Sequence, residues 1–132
     1  MDYNQLNGLS LAYLGDAVFE LHIREYLLNC GYTKVKVLNK KCVDFCSGKS
    51  QAGFIFDLIN DKILTEEEIN IYKRGRNSHV GSVRKNIDIE VYLAATGFEA
   101  VIGYLYLSNK ERLNYIIDLI IKRKEDINNE RN

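Results

Sequence analysis

A long apolar helix pattern with a carboxylate at its centre, Leu11-Ala12-Tyr13-Leu14-Gly15-Asp16-Ala17-Val18-Phe19-Glu20-Leu21, constrains this chain more than any other stretch. Leu11, Leu14, Val18, Leu21 and Tyr26 recur at helical spacing, and Gly15 removes a side chain where another group can approach the backbone beside Asp16. An ionised carboxylate at the edge of a buried helix is costly unless it is paired, hydrogen-bonded or bound to a metal. Glu20 falls one turn later on the same face, where two like charges repel and a nearby cation relieves the conflict. The plainer alternative is that this acidic pair is the solvated side of an amphipathic helix.

The rest of the chain supplies the surroundings. Its 132 residues, 46% of them apolar, suit a single domain over 1–132 with a real core. No run reads as long and uncharged enough to span a membrane, and the start lacks a basic-then-apolar leader, so a cytoplasmic address is expected. Cys30, Cys42 and Cys46 cannot all pair, and cytoplasmic thiols stay reduced. Cys42 and Cys46 are one helical turn apart; without a second pair they make a poor zinc site and read as small core residues. The 18 basic and 18 acidic side chains cancel, but the bases cluster. Lys34, Lys36, Lys40, Lys41 and Lys49 form one region and Lys73, Arg74, Arg76, Arg84 and Lys85 another, so a basic face toward phosphates is compatible with zero net charge.

Helix follows helix, with no proline and no convincing strand, which predicts an all-α fold. Asn7 or Ser10 caps a first helix that runs to about Leu28 and stops at Gly31; Thr33 or Asn39 starts a second, bent or broken at Gly48. A third stretch buries Phe54, Ile55, Leu58 and Ile59. Thr65-Glu66-Glu67-Glu68 is a capping box for a short helix to about Lys73. From Arg74 to Lys85 the periodicity fails in a basic, glycine-containing segment without acids, suited either to an arm along a phosphate backbone or to a solvated loop. Asn86 or Asp88 then caps a helix in which Glu99 interrupts an apolar pattern, with Ala95, Gly97, Ala100 and Gly103 permitting close packing. Ser108 or Asn109 starts a last helix with Leu113, Ile116, Ile117, Ile120 and Ile121 inward, and a charged tail from Lys122 is expected to fray.

Two segments together carry a resemblance. Leu14-Gly15-Asp16-Ala17-Val18 resembles the signature helix of the ribonuclease III family, and Thr96-Gly97-Phe98-Glu99-Ala100-Val101-Ile102-Gly103-Tyr104-Leu105-Tyr106-Leu107 resembles its second catalytic helix, in the same order and at a matching separation. Arg74-Gly75-Arg76-Asn77 and Lys85-Asn86-Ile87-Asp88 resemble the mini-ribonuclease III branch, extending the likeness from Leu6 to Leu113. The resemblance implies a helical, homodimeric catalytic domain of the ribonuclease III type that cuts both strands of double-stranded RNA with Mg²⁺. Asp16 and Glu99 then occupy catalytic metal-ligand positions, and hard oxygen donors suit Mg²⁺. The metal would activate a water for in-line attack and stabilise the departing oxygen, leaving a 5′-phosphate and a 3′-hydroxyl. The two histidines, His22 and His79, are not required.

This sequence departs from the larger enzymes at two carboxylate positions, where it has Ala12 and Thr96. Glu20 is a candidate to supply part of the missing charge through an intervening water, against an ordinary salt-bridging role. No double-stranded RNA-binding domain follows within the sequence, so RNA affinity is expected from the catalytic domain itself. Arg74, Arg76, Asn77 and Lys85, and less strongly Lys49 and Gln51, are the candidate contacts, reading A-form shape rather than base sequence. Cleavage of two strands calls for a two-fold pair of subunits. Tyr13, aligned with a family dimer contact, and Phe19 are candidates for that interface, although burial within one subunit explains them almost as well. The family role implied is maturation of the large-subunit ribosomal RNA precursor, helped by a large-subunit ribosomal protein. A non-catalytic structured-RNA-binding protein on the same fold is the alternative.

Overall fold

A computed structural model describes residues 1–78 and 88–130. Among these residues there is no strand. A short 3₁₀ turn, Tyr3–Gln5, precedes six α-helices: α1 (Gly8–Asn29), α2 (Val35–Cys46), α3 (Gly48–Asn60), α4 (Glu66–Arg76), α5 (Ile89–Ser108) and α6 (Lys110–Glu130).

Local chemistry sets most of the boundaries. Asn7 accepts a hydrogen bond from the Ser10 N–H at 2.8 Å and so starts α1, while Gly31 takes the left-handed conformation (φ +97°) just beyond its end. Ser47 is extended between α2 and α3 and accepts from the Ser50 N–H at 3.2 Å, so the break expected at Gly48 is made by a serine cap. The Thr65–Glu68 capping box closes with bonds of 3.1 and 2.9 Å. Asp88 caps α5 and Asn109 caps α6, through bonds of 2.8 and 3.0 Å. Neither Thr33 nor Asn39 starts α2, whose N-cap is Lys34 without a side-chain bond.

Three expectations need correcting. α4 does not end at Lys73 but continues to Arg76, because Gly75 is a packing glycine: a Cβ there would lie 2.6 Å from the Ala100 Cβ and 3.0 Å from the Gly97 Cα of α5. The charged tail does not fray at Lys122. α6 runs on to Glu130, tied down by ion pairs from Arg123 to Asp61 at 2.7 Å and from Lys124 to Asp44 at 3.3 Å. Finally, α5 does reach the length and apolarity of a membrane span; in this fold it is the central core helix, surrounded by α1, α3, α4 and α6.

The closest approach is between α1 and α5. A Cβ on Gly15 would overlap the backbone carbonyl of Glu99, and one on Gly103 would overlap the carbonyl of Leu11 while lying 3.0 Å from the Gly15 N. The two helices therefore meet backbone to backbone, with Asp16 next to one contact glycine and Glu99 at the other side of the crossing. Phe19 and Phe98 seal the next layer edge to face, with ring centroids 5.0 Å apart.

Replacing Gly103 with alanine should cost about 3 kcal/mol, the upper end of the overpacking range, because the obstacle is backbone and cannot change rotamer. Gly53 of α3 has open space around it, and its alanine variant should gain about 0.5–1 kcal/mol from helix propensity. Urea denaturation of both variants checks the pair; equal effects would mean that the crossing is not tight.

Candidate active site at the crossing of α1 and α5

The backbone contact between α1 and α5 brings together two residues 83 positions apart, Asp16 and Glu99, whose side chains share a hydrogen bond. Asp16 faces solvent, whereas Glu99 is largely buried. Burial first, and then the hydrogen bond and charge of Asp16, push the Glu99 carboxyl up to about 9. Glu99 consequently keeps its proton at neutral pH and donates it to Asp16. An opposing contribution comes from Gln51 of α3, whose amide N–H donates to the Glu99 carboxylate and favours its ionised form.

Such a pair has the donor chemistry for a hard divalent cation. A cation between the two would let both ionise, and the exposed side of Asp16 leaves room for the waters that Mg²⁺ retains. The positions at which larger ribonuclease III enzymes carry further acids add none here: Ala12 is buried, and Thr96 donates its hydroxyl to the Tyr92 carbonyl at 3.1 Å. Glu20 is 44% exposed and pairs with Arg24 at 3.1 Å, one turn along α1 from Asp16. Cys46 fills the space beside these acids. Its thiol is pushed up by burial, by neighbouring Cys42 and by the charges of Glu20 and Asp16, so it stays neutral.

The remaining candidates separate into groups. Lys49 and Asn77 are exposed, and Arg76 is half-buried, with its guanidinium 5.6 Å from the Tyr72 ring centroid and its Nε donating to Asn77 at 3.3 Å. Arg74 is half-buried, and its Nη1 donates to the carbonyls of Asn4 at 2.7 Å and Leu6 at 3.1 Å, holding the N-terminal turn against α4. Lys85 lies outside the described residues. Gln51 is not a surface contact; it is 3% exposed and reaches Glu99. Phe19 is fully buried within its own subunit against Phe54 and Phe98, which removes it from any subunit contact, whereas Tyr13 is 85% exposed.

The place of Gln51 had a signal in the sequence. Gln51, Ile55 and Leu58 share one helix face, so a lone amide sits on an otherwise apolar stripe and needs a buried polar partner.

The raised Glu99 carboxyl has a thermodynamic consequence in metal-free protein. Below about pH 4.5 both folded and unfolded chains hold this proton. Between about 4.5 and 9 the unfolded chain releases it while the folded chain retains it, so the group's contribution to stability falls as pH rises. Thermal melts in chelator from pH 5 to about 9 should show Glu99→Gln gaining on the parent with each unit of pH. A constant difference would mean that Glu99 ionises normally in the fold.

Residues 9–110 match the family model described as the Ribonuclease III domain. A Mini-ribonuclease 3 of Enterococcus faecalis is 46% identical over 128 residues, which cover 96% of this chain and 97% of that protein. One from Streptococcus pneumoniae is 41% identical over 126 residues, covering 95% and 98%. The fold is shared with the crystal structure of a Fusobacterium nucleatum protein at a TM-score of 0.80 and 37% identity, over 91% of this chain and 95% of that one. The α1–α5 carboxylate pair thus stands within a matched family domain, and the chain belongs to the ribonuclease III family, in its mini-ribonuclease III branch.

Proposed function

We propose that this chain is a homodimeric, Mg²⁺-dependent endoribonuclease that cuts both strands of structured RNA in the cytoplasm, its substrate being the precursor of large-subunit ribosomal RNA. Membership of the ribonuclease III family supports the reaction class, hydrolysis of an RNA phosphodiester. The observation that carries the site is the contact of Asp16 with Glu99 across the α1–α5 crossing. When bound, Mg²⁺ supplies the Lewis acidity for nucleophile and leaving group. Asp16 offers an oxygen from the solvent side and Glu99 one from the core side. Water adds to phosphorus, the bond to the 3′ oxygen breaks, and that oxygen takes up a proton, giving 5′-phosphate and 3′-hydroxyl ends. Glu20 would act on the cation through a water, in competition with its ion pair to Arg24 at 3.1 Å. The free thiols of Cys30, Cys42 and Cys46 suit a reducing compartment.

RNA contact falls to Lys49, Arg76 and Asn77, with Lys85 retained as a candidate and Arg74 supporting them through its hold on the N-terminal turn. A ribosomal protein that shapes the precursor belongs to the same reading. Dimerisation is supported by an apolar line on the solvent side of α1: Leu9, Tyr13, Ala17 and Leu21 recur every four residues, all exposed. Asp16 borders this line, so a two-fold pair formed through it would present two carboxylate sites to one duplex.

Incubation with a long RNA duplex, with and without Mg²⁺, tests the activity. Asp16→Asn and Glu99→Gln should each lower the cutting rate about 100-fold or more while leaving the fold intact. Duplex binding without any metal-dependent cutting would instead make this chain an RNA-binding protein. Tyr13→Asp should shift the protein to monomer in sedimentation and abolish paired cuts; a stable dimer in that variant would rule out the α1 face as the interface.

A further inference from the structure

The buried amide of Gln51 has no part in the reaction as derived above, yet it occupies the innermost wall of the site. Only two polar or charged side chains are as thoroughly buried among the described residues, Gln51 and Glu68. Glu68 is accounted for by the Thr65 cap and by Arg112, which donates to it at 2.9 Å. Gln51 projects from the first turn of α3, where a Cβ on Gly48 would stand 4.0 Å from the Ala95 Cβ of α5. One turn further along each helix, Gln51 meets Glu99. Ala52, Ile55 and Leu58 continue the buried face behind it, so neither water nor an RNA backbone reaches this amide from the core side.

We propose that Gln51 is the positioning residue for the metal-binding carboxylate of Glu99: its amide N–H, delivered by the α3–α5 contact, anchors one carboxylate oxygen so that the other is aimed at the cation shared with Asp16. The inference rests on the metal-dependent reading of the site. A largely buried carboxylate without a donor swings between rotamers, which weakens cation binding. Asp16 faces solvent and can hydrogen-bond to water, so only the core-side ligand needs an internal donor. Gln51 thereby acts through Glu99 and not on RNA.

Gln51→Met keeps the length and packing of the side chain and removes the donor. Mn²⁺ binding to the RNA-free protein, followed by electron paramagnetic resonance, should weaken about tenfold, and the Mg²⁺ concentration for half-maximal cutting should rise by a similar factor. The KM for duplex RNA and the salt dependence of binding should not change. In the Glu99→Gln background the same substitution should have little further effect on Mn²⁺ binding, because the two residues act as a unit. Gln51→Asn, which keeps the amide but shortens its reach, should weaken Mn²⁺ binding in the same direction and serves if the methionine variant melts early. Unchanged Mn²⁺ affinity in a folded variant overturns the proposal, as does a flatter salt dependence with normal metal response, which would make Gln51 an RNA contact. If the parent protein cuts no duplex with Mg²⁺, the functional reading fails as well, an outcome distinct from a cutting parent with an indifferent Gln51 variant.

Discussion

Everything that makes this fold a candidate nuclease depends on two helices touching at their backbones. α1 and α5 cross at Gly15 and Gly103, where any Cβ would strike the opposing chain. Side chains on ordinary packed helices hold the axes about 8–10 Å apart. Glycines at the crossing remove that spacer. The apolar layers above and below, with Phe19, Phe98, Leu11 and Ile102 fully buried, keep the helices pressed together despite the acids at the contact.

The electrostatic character of the site follows from unequal exposure of the two acids. Asp16 is in water and Glu99 is mostly out of it, and burial together with Asp16 raises the Glu99 carboxyl to about 9. A metal-free site of this kind is a stored conflict: the fold holds one proton where an ion pair partner is missing. A divalent cation bound between the two acids would resolve the conflict by replacing the proton. Gln51 already favours the ionised form from inside the core. Neutral hydrogen bonding thus offsets part of the cost of ionising Glu99, in a chain with alanine and threonine at positions 12 and 96.

The outer surface divides by role. Along α1 the exposed line of Leu9, Tyr13, Ala17 and Leu21 offers apolar area next to Asp16, while Lys49, Arg76 and Asn77 offer charge and hydrogen bonds at the start of α3 and the end of α4. Arg74 shows that a basic residue in a basic stretch can also brace the fold, since its Nη1 donates to the carbonyls of Asn4 and Leu6.

Much of this was determined by the sequence alone. Helical periodicity, the Thr65 cap, the Gly31 stop and the small residues around Glu99 are local signals, and local backbone chemistry obeys them; the choices of Asn7 over Ser10 and Asp88 over Asn86 came from the fold. Asp16 and Glu99 were legible because each interrupts an apolar helix with a charge that needs a reason. What only the tertiary structure decided are the matters that depend on which face meets which. Gly75 reads as a loop signal but packs against α5; Phe19 and Tyr13 look alike in sequence but one is core and the other surface; Gln51 stands out on an apolar stripe, but only the fold sets it against Glu99. Periodicity gives a helix a face, but it does not say what that face touches, and it is the touching partner that turns a glycine into a close contact or an amide into the partner of a buried acid.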